Sequence, residues 1–394
     1  MKLFMHTACS LILLALTTLS ARAELPVVLP VEGTPFRAAL AAVDDKWQLE
    51  FDAEGKSRPL PAAELVSWGA PVEAADGPIV VTADGGLLVA DVYRADSETL
   101  MADSALFGAL KLPLESLSGV VFDPPNDRAR RDAILDRVAR ATGRADRLVL
   151  HNGDEVTGLF EAVQNDTVRL DTDAGPIEIE TDRIDALIFD PSLKQQSEAD
   201  GLRAWVGLAD GSRLLAGRMR LDEASLQITT SFGQTWKTSP GELVFLQPLG
   251  GRATYLSDLK PAGYRHVPYL SLPWPYRADR NVAGGWLRGG GRPYLKGLGV
   301  HSAARLTYAL DGSHQRFQAA LAVDDSTAGG GSVRFRVLLD GHPKFTSETI
   351  RGGMAPVPIS VELGGAKRLD LIVDFADRAD QLDRANWLDA RLVE

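Results

Sequence analysis

Apolar residues in the first two thirds of the chain arrive in short runs rather than at helical spacing. Four of these runs each lead into a glycine turn: Val27-Val28-Leu29 before Gly33, Ile79-Val80-Val81 before Gly85, Leu148-Val149-Leu150 before Gly153, and Ala204-Trp205-Val206 before Gly211. Behind each come two stretches of alternating apolar and polar positions, such as residues 155–161 and 167–173. Each ends on a polar turn and an apolar strand, at residues 63–68, 116–122, 182–189 and 241–246. Alternation with a period of two is the mark of a half-buried strand, and its recurrence predicts four related β units at residues 24–71, 76–125, 146–192 and 203–251.

About forty residues and five short strands per unit are too few for a sandwich, and predict a small curled antiparallel barrel. In this the units resemble SH3-like or Sm-like barrels, with closure of the barrel drawn from that analogy. Between the second and third units, in the connector 126–145, residues 126–143 read as a helix. Asn126 is its expected N-cap, Ile134, Leu135, Val138 and Ala141 share one face, and Gly143 ends it. Its polar residues Asp127, Arg128, Arg130, Arg131, Asp132, Asp136 and Arg137 read as a solvated face. Residues 193–202, rich in Gln, Ser and charge, read as a linker.

From Arg252 onward the strands lengthen. Phe317, Ala319, Leu321 and Val323 point one way, as do Val333, Phe335, Val337 and Leu339, then Val357, Ile359, Val361 and Leu363, then Leu369, Leu371, Val373 and Phe375. Turns at Asp311-Gly312, Asp340-Gly341 and Gly364-Gly365 separate them. Some eight such strands in residues 252–394 predict a β-sandwich, so the fold class is all-β with one connecting helix.

The N-terminus changes the setting. Met1-Lys2, the apolar stretch from Leu11 to Leu19 and the small-x-small Ala21-Arg22-Ala23 form an expected signal peptide over residues 1–23, so the mature chain is expected to start near Glu24 in the periplasm or outside the cell. The lone cysteine, Cys9, would leave with it, taking disulfides, a thiol nucleophile and thiolate-held zinc with it. No segment has the ~20 apolar residues that cross a bilayer. Without Lys2 and Arg22 the chain has 40 basic against 53 acidic side chains. An acidic balance disfavours nucleic acid and anionic membrane surfaces, which bind through Lys and Arg, and suits a neutral ligand such as a glycan.

Four stretches in order then identify the last third. Lys296-Gly297-Leu298-Gly299-Val300-His301-Ser302 comes first, followed by Ala322-Val323-Asp324-Asp325 and by residues 331–337 with Asp340-Gly341. Residues 369–377 with Asn386-Trp387-Leu388-Asp389-Ala390 close the pattern. This part resembles the NPCBM/NEW2 family, with Ala322 where that family usually has glycine. The resemblance implies a galactose-binding-like jelly-roll sandwich of the kind appended to glycoside hydrolases, and a carbohydrate as ligand.

A sugar site needs an aromatic plate for the apolar face of a pyranose and side chains that donate and accept hydrogen bonds. Tyr269, Trp274, Tyr276, Trp286 and Tyr294 fall in one Pro- and Gly-rich stretch, which places the expected ligand-binding residues Trp274, Tyr276, Trp286 and Tyr294 on loops. Trp274 and Trp286 read equally well as plugs closing the sandwich. His301 is a further candidate, with a structural role after the Gly-x-Gly turn as its alternative. Asp324 and Asp325 complete the set. With Asp377 they could orient hydroxyls or hold a structural calcium, although a solvated turn reads better and no EF-hand spacing is present. Trp387 reads as core. His6, His151, His266, His301, His314 and His342 show no ligand spacing, and no Gly-x-Ser-x-Gly, Walker or His-Glu-x-x-His motif appears. The expectation is therefore an exported, non-catalytic carbohydrate-binding protein with no cofactor. Two alternatives stay open: an envelope adaptor binding protein partners through the β repeats, and an unrecognised glycoside hydrolase.

Overall fold

The computed structural model describes residues 24–74, 76–195, 201–269 and 272–394. The expected signal peptide, with Cys9, and the middle of the expected linker lie outside the described residues. Within them the chain is almost wholly antiparallel β-structure with a single α-helix.

Each N-terminal unit follows one scheme, seen most simply in the third. Asp146–Leu150 pairs on one side with Glu155–Gln164 and on the other with the closing strand Ile184–Ile188. The ten-residue second strand bends at a register shift between Phe160 and Ala162, so that its far half pairs with Thr167–Thr172. Bending lets one strand serve both halves of a curled sheet. A single 3-10 turn joins the last two strands in every unit: Ala62–Glu64, Leu114–Ser116, Thr181–Arg183 and Pro240–Glu242.

The units are joined edge to edge, which the repeat alone did not reveal. Closing strand Leu65–Gly69 of the first pairs with Leu243–Leu249 of the fourth, and Leu117–Val121 of the second with Ile184–Ile188 of the third. Twenty-two strands thus form one connected network around one apolar cluster that includes Phe51, Trp68, Leu148 and Leu246. Closing strands of neighbouring units protect each other's unpaired edges. Gly69 makes the first joint feasible: its φ is +71°, and a Cβ there would lie 2.0 Å from the Val244 carbonyl oxygen.

The helix α1 runs Arg128–Ala139, shorter than the expected span, and its N-cap is Asp127 rather than Asn126. The Asp127 carboxylate accepts from Arg130 N at 2.9 Å, one residue type as suited to the role as the other. Leu135 and Val138 pack on Val121, Ile188 and Trp286. The polar face is exposed as expected at Asp127, Arg128, Arg130 and Arg137, but three of its residues depart from that reading. Asp132 is fully buried, and Arg131 and Asp136 are half-buried, because the C-terminal sandwich lies against them.

In the sandwich, one sheet runs Arg277–Ala278, Gly297–His301, Arg384–Val393, Arg316–Val323 and Val357–Glu362, with Ala253–Tyr255 also on Arg384–Val393. The other runs Gly263–His266, Ala304–Ala309, Arg368–Phe375, Ser332–Leu339 and His342–Thr346, with Ile350–Arg351 on Ser332–Leu339. The alternating residues expected to face inward do so through Val373, and Trp387 sits fully buried, edge-on to Phe335 at 4.9 Å. Phe375 departs from the pattern: two residues beyond Val373, it has passed the end of the core and is 47% exposed.

Sandwich and β array are clamped together by charge. Arg288 donates to Asp132 through Nη1 at 2.6 Å and Nη2 at 3.0 Å, and to Glu73 through Nε at 3.0 Å. Arg280 donates to Asp136 at 2.8 Å. A buried guanidinium is costly unless its donors are matched in this way.

Candidate functional site

Strand register assembles one end of the sandwich. His266 lies opposite Ala304, Ala304 opposite Val373, and Phe375 opposite Val333, so the loops leaving these strands emerge together. The chain between Gly263–His266 and Arg277–Ala278 carries Pro268, Pro273 and Pro275, none of which has an N–H to donate to a strand ladder.

Within this end, Trp274 lies flat against His301, with ring centroids 5.1 Å apart and planes 5° from parallel. His266 stands edge-on to His301 at 5.9 Å. The Ser302 carbonyl accepts from His266 Nε2 and from His301 Nδ1, each at 2.9 Å, while His266 Nδ1 accepts from Trp274 N at 3.2 Å. This network assigns the tautomers, so both nitrogens of His266 are used and His301 Nε2 is left as a ring acceptor. The Tyr264 hydroxyl donates to the Trp274 carbonyl, and Tyr264 packs on Tyr276 at 5.2 Å. Burial pushes the Tyr264 hydroxyl up to about 12, so it stays a donor.

Beside the stack, Tyr269 and Phe375 meet edge-to-face at 6.2 Å. Tyr269 is 58% exposed, and Leu272 and Val267 are exposed with them. Beneath, the buried Asp383 accepts from the Ser302 hydroxyl at 2.7 Å and from Ser332 N at 2.8 Å. Burial is the main force pushing its carboxyl up to about 6; these two donors oppose the shift and nearby Asp380 adds to it.

Of the seven residues expected to bind ligand, this end holds Trp274, Tyr276 and His301. The other four are elsewhere. Trp286 is buried against α1, with its backbone N–H donated to Asp132 at 2.8 Å, so it plugs the joint between array and sandwich rather than an end of the sandwich. Tyr294 is half-buried on the hairpin strand Arg292–Tyr294 beside the same joint. Asp324 corrects the expectation of a solvated turn: it is fully buried and accepts from Asn281 Nδ2, Arg288 N, Asn386 Nδ2 and Ser326 N at 2.6–3.1 Å. Asp325 accepts from Gly291 N at 2.8 Å. The carboxylate of Asp324 is saturated with N–H donors, which does not fit calcium. Asp377 pairs with Arg351 at 2.7 Å, and among the described residues no group of three or more His, Cys, Asp or Glu is arranged to hold a metal.

His266, Phe375 and Asp383 were not singled out from the sequence. His266 had one faint signal, its place at the foot of the proline-rich loop. Phe375 and Asp383 had none, since the first reads as one more inward strand residue and the second as one turn carboxylate among many.

Two packed antiparallel sheets with aromatic side chains gathered at one loop end define a β-sandwich module. Residues 252–393 match the NPCBM/NEW2 domain family, and this part of the chain is an NPCBM/NEW2 domain, a carbohydrate-binding module. The chain is 35% identical over 203 residues, 43% of its length, to a Renibacterium salmoninarum protein provisionally named an endo-alpha-N-acetylgalactosaminidase, and the match takes in 14% of that protein. It is 31% identical over 117 residues, 29% of its length, to alpha-1,3-galactosidase B of Akkermansia muciniphila, of which 15% is matched. The chain therefore spans only a small part of either relative. Among solved structures, the CBM51 module of Clostridium perfringens GH95 in complex with methyl-galactose is similar at 25% identity and a TM-score of 0.33, over 36% of this chain and 99% of that one. No helix among the described residues is long and apolar enough to cross a membrane.

Proposed function

We propose that this is an exported, non-catalytic protein that binds a glycan through the loops at one end of its C-terminal sandwich. One observation carries the reading: Trp274 is braced flat by His301 next to the exposed Tyr269–Phe375 pair. A pyranose presents an apolar C–H face and a rim of hydroxyls, so it needs a fixed aromatic surface and a nearby acceptor and donor set. Trp274 and Tyr269 supply the surface, and His301 Nε2 an acceptor. Tyr276 supports the loop from behind. Trp286 and Asp324 hold the module together instead of touching ligand, and Tyr294 and Asp325 lie away from the stack.

The four β units act as a scaffold, held to the module by the Arg288–Asp132–Glu73 network. Export rests on the signal-like residues 1–23, and N-terminal sequencing of the mature protein is expected to start near Glu24. The activities in the relatives' names belong to those proteins; a reducing-end assay on polysaccharide is expected to show no turnover here, and turnover that survives purification would overturn that part of the proposal. The binding itself is tested on a glycan array with wild type and Trp274→Ala. Wild-type binding that the variant loses supports the site. A wild type that binds no glycan but captures an envelope protein overturns it in favour of an adaptor role.

A further inference from the structure

Away from the aromatic end, where the sandwich meets the array and α1, a cavity of about 450 Å³ is lined by Trp205, Arg213, Arg280, Trp286, Tyr294 and Lys296, among others. Its cations are unequally matched. Lys296 has Asp258 at 2.5 Å and Asp279 at 2.7 Å, and Arg280 has Asp136 at 2.8 Å. Arg213 stands 4.0 Å over the Trp286 ring and makes no hydrogen bond or ion pair among the described residues. The carboxylates that could have served it are taken: Asp132 accepts from both Nη atoms of Arg288 and from Trp286 N, while Glu73 is shared by Arg288, Arg131 and Arg128. Asp84, also in the lining, accepts from Thr82, Ser231 and Gly86 N.

A second observation points the same way. Trp286 Nε1 is buried and has no hydrogen-bond partner among the described residues. A buried indole N–H without an acceptor and a poorly solvated guanidinium without a hydrogen-bonded carboxylate each call for an explanation, and at a cavity wall a missing ligand supplies one. Burial also pulls the Arg213 guanidinium below the ordinary arginine value, with Arg280 and Arg288 reinforcing the shift and Asp132 and Glu73 opposing it. The cation is therefore stacked on an aromatic face, fronts a cavity of about 450 Å³, and lacks an acceptor among the described residues.

We infer that this joint cavity is a second ligand site, one that takes a small oxyanion group, with Arg213 as its charge partner. The group could be carried by an acidic monosaccharide or be a free inorganic anion; the shared chemistry is at least two acceptor oxygens on one centre with a delocalised negative charge. Arg213 presents a planar fork of donors that suits carboxylate, sulfate or phosphate equally. The site is independent of the glycan proposal, since it uses none of the residues at the Trp274 end.

The test uses the mature full-length chain. Tryptophan fluorescence and thermal melting are followed during titration with galacturonate, galactose, sulfate and inorganic phosphate, for wild type, Arg213→Met and Trp274→Ala. The inference expects saturable fluorescence change and a raised melting temperature with galacturonate or an inorganic anion but not with galactose. Arg213→Met should lose at least tenfold in affinity while Trp274→Ala keeps it. Response to galacturonate alone identifies an acidic sugar, and response to sulfate or phosphate a free anion. No saturable response of the wild type to any anion overturns the inference, as does a response that Arg213→Met retains. Should Arg213→Met fail to fold, Arg213→Lys serves, with weakened binding expected because a point charge replaces the fork.

Discussion

The array and the sandwich are both antiparallel β-structure, yet they treat aromatic residues in opposite ways. The array puts Trp47, Phe51, Trp68 and Trp236 into one core, and its exposed large apolar residues, such as Tyr93 and Leu159, are scattered. The sandwich buries Trp387, Phe317 and Phe335 similarly but gathers Val267, Tyr269, Leu272 and Phe375 in the open at one end, beside the half-buried Trp274. Scattered exposed apolar side chains need no explanation, whereas a cluster of them marks a contact surface. On the proposed reading, the sandwich end is the surface that meets the glycan.

If the two regions are one mechanical unit, breaking their clamp should have the largest effect. Asp132→Ala leaves Arg288 buried with only Glu73, and is expected to cost about 3–5 kcal/mol. Chemical denaturation followed by tryptophan fluorescence should then show array and sandwich unfolding in separate steps. A single unshifted transition would mean that the clamp couples nothing.

A second prediction lies inside the sandwich end. Asp383 has a folded-state value of about 6, above the ~3.9 of an unfolded aspartate, so its contribution to stability is fully present below pH ~4 and is lost as pH rises through 6. Two units correspond to about 3 kcal/mol. Asp383→Asn removes this titration, so the stability of the variant relative to wild type should rise by up to that amount between pH 4 and pH 8. Denaturation midpoints across that window check it; a pH-independent difference would show that the carboxyl titrates normally.

Within the array, Gly69→Ala places a methyl against the Val244 carbonyl at a left-handed backbone position, a strain of about 1–3 kcal/mol before the clash is counted. Hydrogen exchange should quicken in Leu65–Gly69 and Leu243–Leu249 and leave the sandwich unchanged. The smallest expected effect on stability is that of Trp274→Ala, under about 1 kcal/mol because the ring is only half-buried, although it should weaken glycan binding at least tenfold.

How far the sequence led follows from where each signal resides. Alternation is local, so the strands around Phe317, Phe335 and Leu371, the core place of Trp387 and the four opening strands of the array were readable along the chain. Joints between units were not, because strand pairing such as Leu246 with Trp68 links residues far apart in sequence. The same limit explains the helix. Asp132 looks like any exposed helical carboxylate until Arg288 arrives from the sandwich. At the candidate site, residue type suggested aromatics and a histidine, and the proline-rich loop indicated roughly where. Type alone could not separate Trp274, aimed at the open end, from Trp286, twelve residues later and turned into the joint.

The central claim, that neutral glycan binding belongs to the Trp274 end of the sandwich, is most directly tested by hydrogen–deuterium exchange of the full chain with and without an uncharged glycan selected on the glycan array. Protection is expected in peptides covering residues 264–276, 301–304 and 375–383, with no change in residues 24–251. Protection confined to the array, or to residues 286–294 at the joint, would contradict it.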